Sequence, residues 1–109
     1  MKESDTQKKD KINGIVDIIL GSVPAQEIYI FGSHSNGTAK EDSDYDFYVV
    51  IPDGGLCAIE ATWKITGAMR NRSHSIDMLV GTRSKFDKYK NAKGFIENEV
   101  IRTGVKLHG

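Results

Sequence analysis

The sequence predicts an α+β fold, a small mixed β-sheet with helices packed mainly on one face. Two observations carry that prediction. Apolar residues recur at helical spacing in four stretches, while β-branched and aromatic residues concentrate in three short runs. The stretches follow one another as α β β α β α α, an order that implies a small sheet covered by helices. Residues 1–109 are read as a single domain, because a chain of this length supports one real core and no second. Residues 1–5 are polar and expected to be disordered.

The first helix is predicted over 5–20, where Ile12, Ile15, Val16, Ile19 and Leu20 fall on one side. Gly21 stands where a C-terminal cap belongs, and Pro24 follows. A strand is predicted over 27–31 and a second over 44–51. The second ends at Pro52-Asp53-Gly54-Gly55, a turn signal in which Asp53 is placed to cap the next helix. That helix, 56–71, is expected to bury Leu56, Ile59, Trp63 and Met69, with Ala58 and Gly67 allowing close packing. A third strand, 75–80, puts Ile76, Met78 and Val80 on one face and Asp77 and Leu79 on the other. A short helix opens near Ser84 and carries Phe86 and Tyr89. The last helix, 94–102, carries Phe95, Ile96, Val100 and Ile101 and stops at Gly104.

Bulk properties exclude several classes of function. With 39% apolar and 28% charged residues, the chain is globular rather than disordered. Lys plus Arg balances Asp plus Glu at 15 each, so no long-range field attracts a duplex or an acidic membrane. Cys57 is the single cysteine and has no internal disulfide partner, which fits a reducing compartment. The N-terminal residues lack an apolar signal core, and no run approaches the roughly 18 apolar residues of a membrane span. The expectation is a soluble cytoplasmic protein with no membrane partner and no nucleic-acid partner.

The chemistry concentrates in residues 31–51, FGSHSNGTAKEDSDYDFYVVI. Strand alternation puts Asp44, Asp46 and Tyr48 on one face, with successive members about 6.6 Å apart, and Tyr45, Phe47, Val49 and Ile51 on the other. Asp is depleted in strand interiors, yet Asp77 interrupts another strand. If the two strands are neighbours, Asp77 comes alongside the pair. Close like charges repel by up to about 4 kcal/mol at 4 Å and an effective dielectric near 20, and a cation removes that penalty. A ligand set of oxygens alone favours Mg²⁺ or Mn²⁺, and no His/Cys cluster points to zinc. Gly32-Ser33 directly after a strand predicts a sharp turn whose amides and hydroxyl are free to take phosphate. Neither a Walker A loop nor a dinucleotide fingerprint is present. Any one of these aspartates is more often a solvated strand-end residue, and a Gly-Ser turn alone is more often just a turn. The metal reading rests on the whole set at this spacing.

Gly32-Ser33, Gly37 and Ser43-Asp44-Tyr45-Asp46 together resemble the hG[GS]…[DE]h[DE]h signature of the polymerase β-type nucleotidyltransferase superfamily. The likeness is greatest to its small stand-alone branch, the minimal nucleotidyltransferases. Asp77 resembles the family's third carboxylate, and the ending from Ile96 through Gly104 to Leu107 resembles its final helix and tail. The resemblance implies a nucleotidyltransferase-like fold. It implies metal ligation by Asp44, Asp46 and Asp77, with Asp77 also able to act as base toward an acceptor hydroxyl. It implies that Gly32, Ser33 and nearby backbone hold the β- and γ-phosphates of a nucleoside triphosphate. The reaction would transfer a nucleoside monophosphate, AMP from ATP, onto a hydroxyl of a protein or small molecule, with Mg²⁺ or Mn²⁺ as cofactor. Many members carry Ala-Arg-Gly where this chain reads Ser35-Asn36-Gly37, so a basic contact to the triphosphate would come from Lys40, His34, Arg70 or Arg72. Stand-alone relatives also serve as antitoxins facing a helical partner of the HEPN type. This second reading makes the chain a binding module with weak or lost catalysis, and the apolar residues around Tyr89, Phe95 and Val105 would form its interface. The short chain leaves an acceptor to dock on this domain or across a homodimer.

The remaining conspicuous residues have plainer expectations. His34, His74 and His108 are read as surface residues, and Cys57 as a small buried one. Trp63, at helical spacing, is expected in the core rather than as a base-stacking platform. Lys85, Lys88, Lys90 and Lys93 are read as a solvated helix face.

Overall fold

A computed structural model describes residues 5–32, 45–69 and 76–109, with side chains from Lys9 onward in the first segment. These residues form helices α1 (Asp5–Ser22), α2 (Ala58–Ala68), α3 (Arg83–Tyr89) and α4 (Ile96–Thr103), and strands β1 (Glu27–Phe31), β2 (Tyr45–Ile51), β3 (Ile76–Thr82) and β4 (Val105–His108). The expectation of disorder at the N-terminus falls on residues outside the described set, apart from Asp5, which opens α1. The strands form one mixed sheet in the order β3-β2-β1-β4. β1 pairs antiparallel with β2 and β4, and β2 pairs parallel with β3. No described helix is long and apolar enough to cross a membrane.

Alternation along β2 sorts its side chains onto the two faces as expected. Tyr45, Phe47, Val49 and Ile51 are buried together with Ile28 and Ile30 of β1, under Ile15 and Ile19 of α1 and Ala61 and Ile65 of α2. This is the larger core, beneath the two longer helices. On the opposite face, Tyr29, Phe31, Tyr48 and Val50 pack under Phe86 of α3 and Val100 of α4. Phe86 lies 5.5 Å from the ring of Tyr29 and 5.3 Å from that of Tyr48.

The second face holds a buried acid. Glu97, in the first turn of α4, is 1% exposed. Its carboxylate accepts a 2.7 Å hydrogen bond from the Tyr48 hydroxyl and stands 3.8 Å from Lys85 Nζ. A carboxylate in a first helical turn is also favoured by the helix dipole. Burial first, and then the neighbouring Glu97, push the Tyr48 phenol well above its ordinary pKa, so it stays a donor. The Tyr48 hydroxyl occupies the space a Cβ would need at residue 81, which is why glycine stands there.

Several sequence expectations need correction. Gly21 lies inside α1, which continues to Ser22. Cys57, not Asp53, is the N-cap of α2, and it is exposed. Asp53 instead accepts hydrogen bonds from the backbone amide of Ser84, at 3.1 Å, and from its hydroxyl, which hold its carboxyl below the usual range. Trp63 and Ile59 are 70% and 62% exposed. The helix presents Ala61, Ile65 and the following Met69 to the core instead, a stripe that lets α2 sit close to the sheet. β4 extends the sheet where only a tail is expected from sequence. Gly104 makes that extension possible, since a Cβ there would crowd the Val100 carbonyl, lie 3.0 Å from the Ile30 carbonyl and 3.3 Å from Phe31 Cβ.

Two predictions follow from this packing. Tyr48→Phe leaves the buried Glu97 without its hydroxyl donor, so it should lower unfolding free energy by about 1–3 kcal/mol in urea denaturation; an unchanged midpoint would show the bond to be dispensable. Glu27 sits among Tyr29, Arg83 and Lys106 at the start of β1. Desolvation pushes its pKa up, but the Tyr29 hydroxyl, Arg83 and Lys106 outweigh it and the net shift is downward from 4.5. A depressed carboxylate contributes stability above its unfolded value that is lost as pH falls through the lowered folded value. Stability measured below pH 4.5 should therefore fall less steeply in Glu27→Gln than in the parent chain.

Candidate functional site

The site lies where β1 ends and β2 and β3 begin. β1 and β2 run antiparallel, so Phe31, the last residue of β1, pairs with Asp46 near the start of β2. β2 and β3 run parallel, so both start at this same end, and Asp46 is level with Asp77. Level residues on neighbouring strands are about 4.8 Å apart and point to the same face. That face is the one shared with Tyr48 and Val50, beyond the rim of the smaller core. Asp46 is half-buried and Asp77 exposed.

Gly32 completes this group. It follows β1 with φ +77°, a backbone conformation that L side chains rarely adopt. A Cβ added there would lie 2.5 Å from Asp46 Oδ2. The turn therefore brings bare backbone against the Asp46 carboxylate. The glycine has two independent reasons, its φ and its contact.

Two aspartates from different strands and one close backbone turn are thus brought together. Their carboxylates carry like charge side by side, and the donors are oxygens, which suits a hard divalent cation. Asp44, Ser33 and Lys40 lie outside the described residues, as do His34, Asn36, Arg70 and Arg72. Among the described residues no group of three His, Cys, Asp or Glu side chains could hold a metal ion, so any third ligand must come from elsewhere, and Asp44 is the residue expected there. Sequence reasoning missed Glu97. The available signal was Tyr48, a hydroxyl-bearing side chain on an otherwise buried face, which requires a partner.

Comparison with known proteins places the chain. A family model described as polymerase beta, nucleotidyltransferase, matches residues 13–109. The chain belongs to this nucleotidyltransferase family. No curated protein matches the sequence. Among solved structures, a toxin-antitoxin crystallised with AMP-PNP is similar at TM-score 0.65 and 22% identity, covering 89% of this chain and 72% of that one. A mutant of the toxin-antitoxin MntA-HpeT is similar at TM-score 0.64 and 22% identity, over the same shares. A candidate nucleotidyltransferase from Sulfolobus solfataricus is similar at TM-score 0.60 and 20% identity, covering 98% of this chain and 90% of that one. At these identities the likeness is one of fold, and it agrees with the minimal, stand-alone branch of the family.

Replacing Gly32 with alanine should cost about 1–2 kcal/mol for the positive φ alone, with the Asp46 contact adding to it. Urea denaturation of Gly32→Ala tests this, against Gly67→Ala, a helical position with nothing within 4 Å, which should not destabilise.

Proposed function

We propose that the protein is a metal-dependent nucleotidyltransferase that moves a nucleoside monophosphate, AMP from ATP, onto a hydroxyl of a protein or small-molecule acceptor. The observation that carries this reading is the level pairing of Asp46 with Asp77 beside the Gly32 turn. Two carboxylates held at one height on a rigid sheet match what a divalent ion needs. A bound Mg²⁺ would supply charge neutralisation at the transferring phosphate. In this reading Asp46 and Asp77, with Asp44, hold the ion. Gly32 and Ser33 present backbone amides to the β- and γ-phosphates, and Lys40 adds a cation. Asp77, the more exposed of the described pair, would accept the proton of the acceptor hydroxyl. The acceptor oxygen bonds to the α-phosphorus, the bond to the bridging oxygen breaks, and pyrophosphate leaves. Such a reaction suits a cytoplasmic protein with access to ATP.

A second reading is favoured by a separate observation. Phe95, Ile96, Ile101 and Val105 are exposed apolar residues on α4 and its flanks, and Phe95 stacks on Tyr89 at 4.3 Å. Similar structures are described as toxin-antitoxin structures. An antitoxin-like role, with this surface against a helical HEPN-type partner or a second copy, is compatible with weak or lost catalysis.

Calorimetry with a non-hydrolysable ATP analogue separates the two. The enzyme reading expects binding that requires Mg²⁺ and weakens at least tenfold in Asp46→Asn/Asp77→Asn. Labelled ATP should then yield Mg²⁺-dependent transfer that falls by about 10²–10³ in the same variant. No analogue binding with Mg²⁺ present leaves only the second reading.

A further inference from the structure

Three groups stand in a row at the end of the sheet where β2 and β3 begin. Gly32 follows β1, Asp46 stands on β2 and Asp77 on β3. Each step between neighbouring strands is about 4.8 Å. β1 and β3 flank β2 on opposite sides, so Gly32 and Asp77 lie on opposite sides of Asp46.

That order gives the transfer a direction. In an in-line displacement the attacking and leaving oxygens lie on opposite sides of the phosphorus. In the transfer reading the β- and γ-phosphates sit at the Gly32 turn, so pyrophosphate leaves on the β1 side. The attacking oxygen then comes from the β3 side, past Asp77. β3 is a terminal strand, and among the described residues no strand lies beyond it.

The acceptor therefore meets the face of β3 that carries Asp77. On that face β3 offers Asp77, Leu79 and Gly81. Gly81 is buried against the Tyr48 hydroxyl, and Tyr48, level with Leu79, is buried too. Leu79 is 39% exposed and belongs to neither core. Same-face neighbours on a strand are about 6.6 Å apart, so one exposed apolar side chain stands at that spacing from the carboxylate. A separate apolar recess, lined by Ala58, Ile59, Thr62 and Trp63 of α2 and by β3 from Met78 to Val80, lies on the α2 side of the sheet, to which Asp77 does not point.

We propose that Leu79 selects the acceptor, favouring a hydroxyl carried on an apolar frame, an alkyl alcohol or a phenol, over a polyol. This deepens the transfer reading above and rests on it for the chemistry. A polyol brought to Asp77 lays its further hydroxyls on Leu79, whose side chain has nothing to pair with them. Each hydroxyl left unpaired on burial costs roughly tenfold in affinity. An apolar frame instead removes its own surface and that of Leu79 from water. The acceptor oxygen bonds to the α-phosphorus and its proton passes to the Asp77 carboxylate. The bond from phosphorus to the bridging oxygen breaks, and pyrophosphate leaves with that electron pair.

Two readouts test this, and the first needs no turnover. Methyl NMR signals of Leu79, assigned with Leu79→Val, are followed during titration with benzyl alcohol, p-cresol, glycerol and methyl glucoside. Each titration is run with and without Mg²⁺ and a non-hydrolysable ATP analogue. Benzyl alcohol and p-cresol should shift Leu79, and the two polyols should not. Absence of a Leu79 shift with either apolar alcohol overturns the proposal. So do shifts confined to Met78 and Val80 with a change in Trp63 emission, which would put the ligand in the recess on the α2 side. The second readout is transfer of label from ATP, taken as the ratio of kcat/KM for benzyl alcohol to that for methyl glucoside. The ratio should be at least tenfold in the parent chain, shrink at least tenfold in Leu79→Asn and persist in Leu79→Met. A ratio is read within one protein sample, so partial misfolding of a variant cancels. Transfer that favours neither class overturns the proposal and leaves the enzyme reading standing. Leu79 shifts without transfer onto any acceptor would sink the enzyme reading and leave the apolar contact standing. Blocked tyrosine amide run beside p-cresol separates a protein-borne acceptor from a free one, and preference for either upholds selection by the frame.

Discussion

The parallel register of β2 against β3 is the constraint on which the site depends. Because side chains alternate with a period of two, a slip of one residue would turn every side chain of β3 to the other face. Asp77 would then enter the larger core, and Met78 and Val80 would leave it. The register is therefore held by burial: Phe47, Val49 and Ile51 on β2 and Ile76, Met78 and Val80 on β3 face α1 and α2 together. The acidic pair is placed by apolar packing on the opposite side of the sheet. No attraction between the carboxylates is needed, and none is available.

The other half of the site is placed by the chain's end. β1 carries Gly32 at its tip, and β1 is paired on both sides, by β2 and by β4. Gly104 lets α4 turn directly into β4 against the Ile30 carbonyl and Phe31. α4 is in turn fixed over the sheet by Val100 and by the bond from Tyr48 to Glu97. A hydrogen bond from Tyr48, two residues along β2 from Asp46, thus supports the strand that presents the glycine turn. Breaking one partner of such a buried pair leaves the other unsatisfied, which is why the coupling is stronger than one bond would suggest.

Much of this was legible in the residues, for reasons of period and composition. β1 coincides with its expected span, 27–31, because five β-branched, aromatic or long residues are bounded by turn residues on both sides. The faces of β2 and β3 follow from alternation alone. Gly32 was legible as a turn, but its need to clear Asp46 is a tertiary fact. One failure falls where two apolar stripes compete on one helix. On α2, Ile59 and Trp63 are as apolar as Ala61 and Ile65, and only the closeness of the sheet selects the smaller pair. Glu97 was illegible because a lone Glu in a helix reads as solvated until the tyrosine across the sheet is known. β4 was illegible because four residues containing Lys and His carry little strand signal, and its pairing with β1 supplies what its sequence lacks.

The architecture also limits where anything can be brought to this site. Both faces of the sheet are occupied along most of their length, one by α1 and α2 and the other by α3 and α4. Among the described residues, Asp46 and Asp77 stand at the end where β2 and β3 begin, outside both cores. The balanced charge of the chain provides no long-range guidance, so selection among ligands must come from contacts made after encounter. Carboxylate oxygens beside a bare glycine turn would select by charge and coordination geometry.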